Sequence, residues 1–250
     1  MQRSTGSGKI VKLKKSKSIR IDKTINKIPE PLNNTIAYNY IVVEGNIGAG
    51  KTTLATKLAN DLHARLVLEQ FADNPFLPKF YAEPEKHAFP LELSFLAERY
   101  HQLKKELSTQ DIFKPSIVSD YYFVKSLIFA KSNLKEDEYE LYSKLFHIIN
   151  GSLPKPDLFV YLYHDIKHLQ ENIKKRGRSY EQNISDDYLI KIQQAYFDFF
   201  KQLPDLRILV LDVNNMDFAN NSADFELIKE TIQRPYNPGI TSLIVKKDTE

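Results

Sequence analysis

From Tyr40 onward, short apolar runs rich in β-branched and aromatic residues alternate with longer stretches in which apolar side chains recur at helical spacing. Tyr40–Glu44, Arg65–Leu68, Ser116–Asp120, Leu158–Tyr163 and Arg207–Asp212 read as five strands. Lys51–His63 places Leu54, Leu58 and Leu62 one turn apart, which predicts a helix. Leu91–Leu103 follows the same rule, with Leu91, Phe95, Leu96 and Leu103 near one face. Phe123–Ala130, Asp137–Ile149, Ile166–Lys175, Asp186–Leu203 and Phe225–Gln233 complete the helices. Strands separated by helices imply an α/β domain: a five-stranded parallel sheet with helices on both faces. No repeat or internal linker interrupts residues 38–233. Residues 1–37 hold the run KLKKSKSIRIDKTINK and then Pro29 and Pro31, with no sustained period, and are expected to be a disordered basic tail. Residues 234–250 read as a second loose tail, with Thr241–Val245 as a possible edge strand.

Composition narrows the classes. A chain of 250 residues, 42% hydrophobic, is long enough for one well-buried core. The absence of cysteine excludes disulfides, thiolate metal sites and a cysteine nucleophile. No apolar run approaches the roughly 18 residues of a membrane span, so a soluble cytoplasmic protein is expected. The net charge of +3 is unevenly spread: residues 1–28 carry nine Lys/Arg against one Asp, leaving a mildly acidic body. Like-charge runs are usually solvated tails, so nucleic acid is not expected as a partner.

Gly45-Asn46-Ile47-Gly48-Ala49-Gly50-Lys51-Thr52 matches G-x-x-x-x-G-K-[ST] and lies between a predicted strand and a predicted helix. Its backbone N–H groups and the helix N-terminus would face a polyphosphate, with Lys51 on the outer phosphates and Thr52 on Mg²⁺. A nucleoside triphosphate and magnesium follow; the acceptor does not. No Asn-Lys-x-Asp guanine motif follows the loop, which favours a small kinase over a switch GTPase. Phosphoryl transfer needs a metal, positive charge and a group on the acceptor hydroxyl. Glu69 and Asp120 end strands two and three, on the edge where parallel sheets bind ligands. Glu69 is the candidate base, and Asp120 a candidate metal ligand or helix cap. Arg176-Gly177-Arg178, after a predicted helix, suggests an arginine lid, and Glu181 lies just beyond. His164 and His168 share a helical face but lack further ligands, and are read as surface or capping residues. Tyr196-Phe197-Asp198-Phe199-Phe200 has the spacing of core or dimer packing.

Together these segments resemble the deoxynucleoside kinases, specifically the bacterial purine-type deoxyadenosine/deoxyguanosine branch. The resemblance rests on Val43-Glu44-Gly45-Asn46-Ile47-Gly48-Ala49-Gly50-Lys51-Thr52-Thr53, on Glu69, on Asn74-Pro75-Phe76-Leu77-Pro78-Lys79-Phe80-Tyr81, on the lid with Glu181-Gln182, and on Leu211–Asn214 with Asp217-Phe218. It spans about Tyr40 to Gln233 and implies a P-loop kinase fold with an Arg-containing lid, ATP and Mg²⁺, a deoxynucleoside substrate phosphorylated on its 5′-hydroxyl in nucleotide salvage, and a homodimer. It implies that Glu69 deprotonates the 5′-hydroxyl, that Tyr81 and Glu181 hold the 3′-hydroxyl, that Arg176 and Arg178 meet the donor phosphates, and that Asp217-Phe218 touch the donor adenine. Glu92 stands where the family usually has a base-reading glutamine, and Arg99, seven residues on, would share its pocket.

Three positions depart from the family pattern. The acidic-Arg-Ser motif after strand three reads Asp120-Tyr121-Tyr122, leaving Lys125 to replace the charge of the arginine but not its fork. A base-reading aspartate is Ser126. The base-reading glutamine is Glu92, which when ionised only accepts hydrogen bonds and so suits donor-rich purine edges. A thymidylate-type nucleoside monophosphate kinase and a catalytically weak structural subunit of the same fold are the alternatives.

Overall fold

The computed structural model describes residues 38–70, 74–109 and 111–245. The basic tail predicted for residues 1–37 lies outside them. In chain order the elements are β1 (Tyr40–Gly45), α1 (Lys51–Asp61), β2 (Arg65–Val67), α2 (Phe76–Ala82), α3 (Pro84–Ser108), β3 (Ile117–Ser119), α4 (Val124–Asn133), α5 (Glu136–Asn150), β4 (Leu158–Tyr163), α6 (Ile166–Arg176), α7 (Asp186–Phe200), β5 (Arg207–Asp212), α8 (Ser222–Ile232) and β6 (Gly239–Ile244). All strand pairs are parallel, in the order β2-β3-β1-β4-β5-β6.

The period-two alternation of the central strands builds two cores. Ile41 and Val43, Leu158, Val160 and Leu162, and Leu209 and Leu211 face α1, α6 and α8, where Leu54, Leu58, Leu169, Ile173 and Ile228 are buried. Tyr40 and Val42, Phe159 and Tyr161, and Ile208 and Val210 face α3, α4, α5 and α7. Tyr196 and Phe200 sit in this second core with their rings against Tyr161, so the aromatic run of α7 is core. Phe80 of α2 packs on Ala88 and Leu91 of α3 as a third, smaller cluster.

The sheet has six strands, not five. The segment expected as a loose tail after Gln233 pairs along the whole of β5, from Arg207↔Gly239 to Asp212↔Ile244. It is also tied to the start of the domain: the Tyr38 hydroxyl donates to the Arg234 carbonyl at 2.8 Å and accepts from the Tyr236 amide at 3.1 Å. β6 is an edge strand whose side chains are mostly half-exposed, so it lacks the clean alternation of a buried strand.

Candidate active site

The loop from β1 to α1 owes its shape to two glycines and a buried asparagine. Gly48 and Gly50 both have φ of +81°. A Cβ on Gly48 would stand 2.7 Å from the Leu169 carbonyl oxygen of α6, and one on Gly50 would stand 2.9 Å from the Phe218 ring. Asn46 is buried; its amide donates to the Leu189 carbonyl of α7 at 2.7 Å while its own oxygen accepts from Ile47 N at 2.8 Å. Gly45 and Asn46, predicted to bind the nucleotide, do not line the cavity above the loop; Ile47 to Thr53 do. Their part is to hold the loop on its neighbours. Lys51 turns back onto the Asn46 carbonyl at 2.9 Å. Burial, followed by the nearby Lys125, lowers its ammonium to about 8.

This cavity, about 640 Å³, runs across the carboxyl edge of the sheet, and Glu69, Asp120, Lys125, Glu92, Tyr81 and the lid arginines line it. Asp120 joins two parts of the site. One carboxylate oxygen accepts from the Thr52 hydroxyl at 2.5 Å, the other from the Glu69 amide at 2.7 Å. The Glu69 carboxylate faces the cavity between two cations. Arg99 reaches one oxygen through Nε at 3.0 Å and Nη2 at 2.9 Å, and Lys125 ion-pairs with the other. Burial alone would raise the Glu69 carboxyl, but Lys125 and then Arg99 outweigh it and hold it at about 2. Tyr121, where the resemblance expects an arginine, supports Glu69 from the backbone side. Its hydroxyl donates to Gln102 at 2.6 Å, and Gln102 donates to the Leu68 carbonyl at 2.9 Å, which props the chain just before Glu69.

Arg99 shares the cavity with Glu92, as expected, but its hydrogen bonds go to Glu69 and, at 3.0 Å, to the Ser126 hydroxyl. Glu92 is buried in the cavity wall. One of its oxygens accepts from Asn133 at 2.6 Å, and the other, Oε2, is buried without a partner among the described residues. Burial, only partly offset by Arg99, raises its carboxyl to about 7. Tyr81 stacks on Tyr180, ring centres 5.9 Å apart.

Gly177, at φ +73°, ends α6 in the left-handed conformation and leaves Arg176 and Arg178 on one side of the lid. Both pair with the buried Glu181: Arg176 through Nε at 3.0 Å and through Nη2, Arg178 through Nη1 at 3.3 Å. In this state Glu181 holds the lid arginines together rather than facing a sugar. Beyond β5, Lys57 of α1 donates to the Phe218 and Ala219 carbonyls, both at 2.8 Å, and the Asp217 carboxylate accepts from Asn220. Asp217 therefore shapes its own loop, while Phe218 packs on Gly50. His164 is a correction: it is buried in the cavity wall against the Ala49 backbone, not a surface residue, and burial followed by His168 lowers it to about 4. His168 pairs with Asp165, the N-cap of α6, at 2.8 Å. Asn133, Gln102 and the buried Glu44, which accepts from Tyr122 N and the Tyr196 hydroxyl, escaped sequence reading because their partners are distant in the chain.

The model of the deoxynucleoside kinase family matches residues 41–235, most of the chain. The chain belongs to the deoxynucleoside kinases. It is 38% identical over 196 residues to a deoxyguanosine kinase of Bacillus subtilis, covering 76% of this chain and 93% of that one. It is 34% identical over 203 residues to a deoxyguanosine kinase of Lactobacillus acidophilus, covering 77% and 88%. A deoxyadenosine kinase of M. mycoides, solved with bound dATP, superposes with a TM-score of 0.67 at 26% identity, over 78% of this chain and 100% of that one. A member of this family is an ATP-dependent kinase of deoxynucleosides, and the P-loop kinase fold expected from the sequence is the fold observed.

Proposed function

We infer that this kinase transfers the γ-phosphate of ATP to the 5′-hydroxyl of a purine deoxynucleoside, deoxyguanosine first, as a step of cytoplasmic nucleotide salvage. One observation carries the reading: the phosphate loop, the ionised Glu69 and the buried Glu92 line one cavity. Two deoxyguanosine kinases at 38% and 34% identity, and the acceptor-only edge of an ionised Glu92 matched to guanine N1–H and N2–H₂, support the choice of base.

The amides of residues 48–52 and the N-terminus of α1 would bind the donor phosphates. Lys51, freed from the Asn46 carbonyl, would meet them as a cation. Thr52 and Asp120, an alcohol and a carboxylate already in contact, form an oxygen pair suited to a hard cation, so they would hold Mg²⁺, which neutralises phosphate charge when bound. Glu69 accepts the hydrogen bond of the 5′-hydroxyl and orients it. At about 2 it is a weak base in the empty site, but a loose phosphoryl transition state requires the proton to leave only as the new P–O bond forms. A phosphoryl group arriving next to Lys125 competes for that cation and raises the basicity of Glu69. Arg176 and Arg178, released from Glu181, would meet the transferred group, and Glu181 with Tyr81 the sugar 3′-hydroxyl. Lid closure keeps water from competing for the phosphoryl group. Assembly as a homodimer is carried over from the resemblance.

The test is ATP-dependent monophosphate formation from the four deoxynucleosides and from dTMP, with Glu69→Gln and Lys51→Ala as controls. Deoxyguanosine should give the highest kcat/KM and dTMP none. Near-normal turnover of Glu69→Gln would remove Glu69 from its role.

A further inference from the structure

Glu92 offers two hydrogen-bonding faces, and the structure fixes which atom changes. Asn133 donates to Oε1 at 2.6 Å and so keeps that oxygen an acceptor, while its side chain is itself held by Tyr188. Oε2 is the buried oxygen without a partner among the described residues, and Glu92 is one of the residues lining the cavity that holds Glu69 and the phosphate loop. A proton, when present, therefore sits on Oε2. Ionised, the carboxylate presents two acceptors, which match guanine N1–H and N2–H₂. Neutral, it presents one donor and one acceptor, which match adenine N1 and its N6 amine. No second charged group takes over the reading: the family aspartate is Ser126, and Arg99 is engaged by Glu69.

We propose that Glu92 makes base choice depend on pH, its ionised form selecting deoxyguanosine and its neutral form deoxyadenosine. This rests on Glu92 reading the acceptor base. The charged and titratable groups around it are Arg99 on its own helix α3, Lys125 on α4, Tyr142 on α5, Tyr188 on α7 and Glu69 after β2. Glu69 ionises far below neutrality, and Tyr142 and Tyr188 are pushed well above their usual range by burial. Glu92 itself changes state near 7. The binding site therefore switches code within the physiological window, where neither purine titrates.

The experiment measures kcat/KM for deoxyguanosine and deoxyadenosine with the full chain between pH 6 and pH 8. Taking the ratio of the two cancels every titration in the ATP half of the site, since both bases share it. The deoxyguanosine:deoxyadenosine ratio should rise by about tenfold per pH unit. Glu92→Gln, locked as donor plus acceptor, should lose that slope and favour deoxyadenosine at every pH. A flat wild-type ratio, a slope that survives in Glu92→Gln, or no deoxyadenosine turnover at pH 6 would each overturn the switch. A flat wild-type ratio with a changed preference in Glu92→Gln keeps Glu92 as the base reader and removes only the switch. An unchanged preference in the variant removes both.

Discussion

Glu69 meets the cavity with one oxygen on Arg99 and the other on Lys125. These cations set how readily it takes a proton, whereas Asp120, through the Glu69 amide, sets where it stands. Replacing Glu69 by Gln keeps size and position but removes the base, so kcat should fall by about 10²–10⁴-fold while the ATP-induced thermal shift survives. Lys125→Met separates the cation from the base. The wild-type carboxyl, held at about 2, is ionised at any working pH, so kcat at saturating deoxynucleoside should have no acid limb from this group above pH 5. Without Lys125, burial weighs against Arg99 alone, the carboxyl titrates higher, and an acid limb should enter the measurable range. The same change removes a cation from the transferring phosphoryl group and lowers the plateau. A variant with a lowered plateau and no new acid limb would mean that Lys125 does not govern the charge of Glu69.

The loop between β1 and α1 was legible because its chemistry is local: eight consecutive residues state it, and the flanking strand and helix have clear periods. The pairs that tune the site were not. Lys125 and Glu69 are 56 residues apart in sequence, Asn133 and Glu92 are 41 apart, and nothing in the spacing on either helix announces the partner. Arg99 was placed near Glu92 by helical periodicity, and it does share their cavity, yet charge decided its contact. A guanidinium beside an ionised Glu69 gains more than beside a Glu92 that burial keeps half-neutral. Within the loop itself, Gly48 is the joint between donor site and lid helix, since its Cα faces the Leu169 carbonyl and Ile173 of α6. Gly48→Ala would adopt a left-handed backbone at a cost of about 1–2 kcal/mol and drive a methyl into that carbonyl. Thermal unfolding without ligand should fall by a few degrees, and the stabilisation that ATP adds should largely vanish, because loop and lid can no longer pack together.

Six parallel strands leave two edges, and the molecule closes them unequally. β2 is three residues long, whereas β5 would present a full six-residue apolar edge if the chain ended after α8. β6 covers it, and Val245, just beyond, is buried against the core. The same segment passes Tyr236, whose carbonyl accepts from Arg207 at 2.9 Å and whose amide donates to Tyr38 at the start of the domain. The first and last segments of the described domain are therefore tied together, which a reading by periodicity missed because an edge strand with half-exposed side chains carries little pattern. Deleting residues 234–250 should cost more than a tail would. Loss of the Val245 side chain alone removes about 1.5–3 kcal/mol of burial, and the exposed β5 edge becomes a template for pairing between molecules. The truncated chain should unfold at a clearly lower temperature in calorimetry and form larger species in light scattering. Unchanged unfolding and a single species would mean that β6 contributes nothing to the fold, and that the boundary read near Gln233 was the true end of the domain.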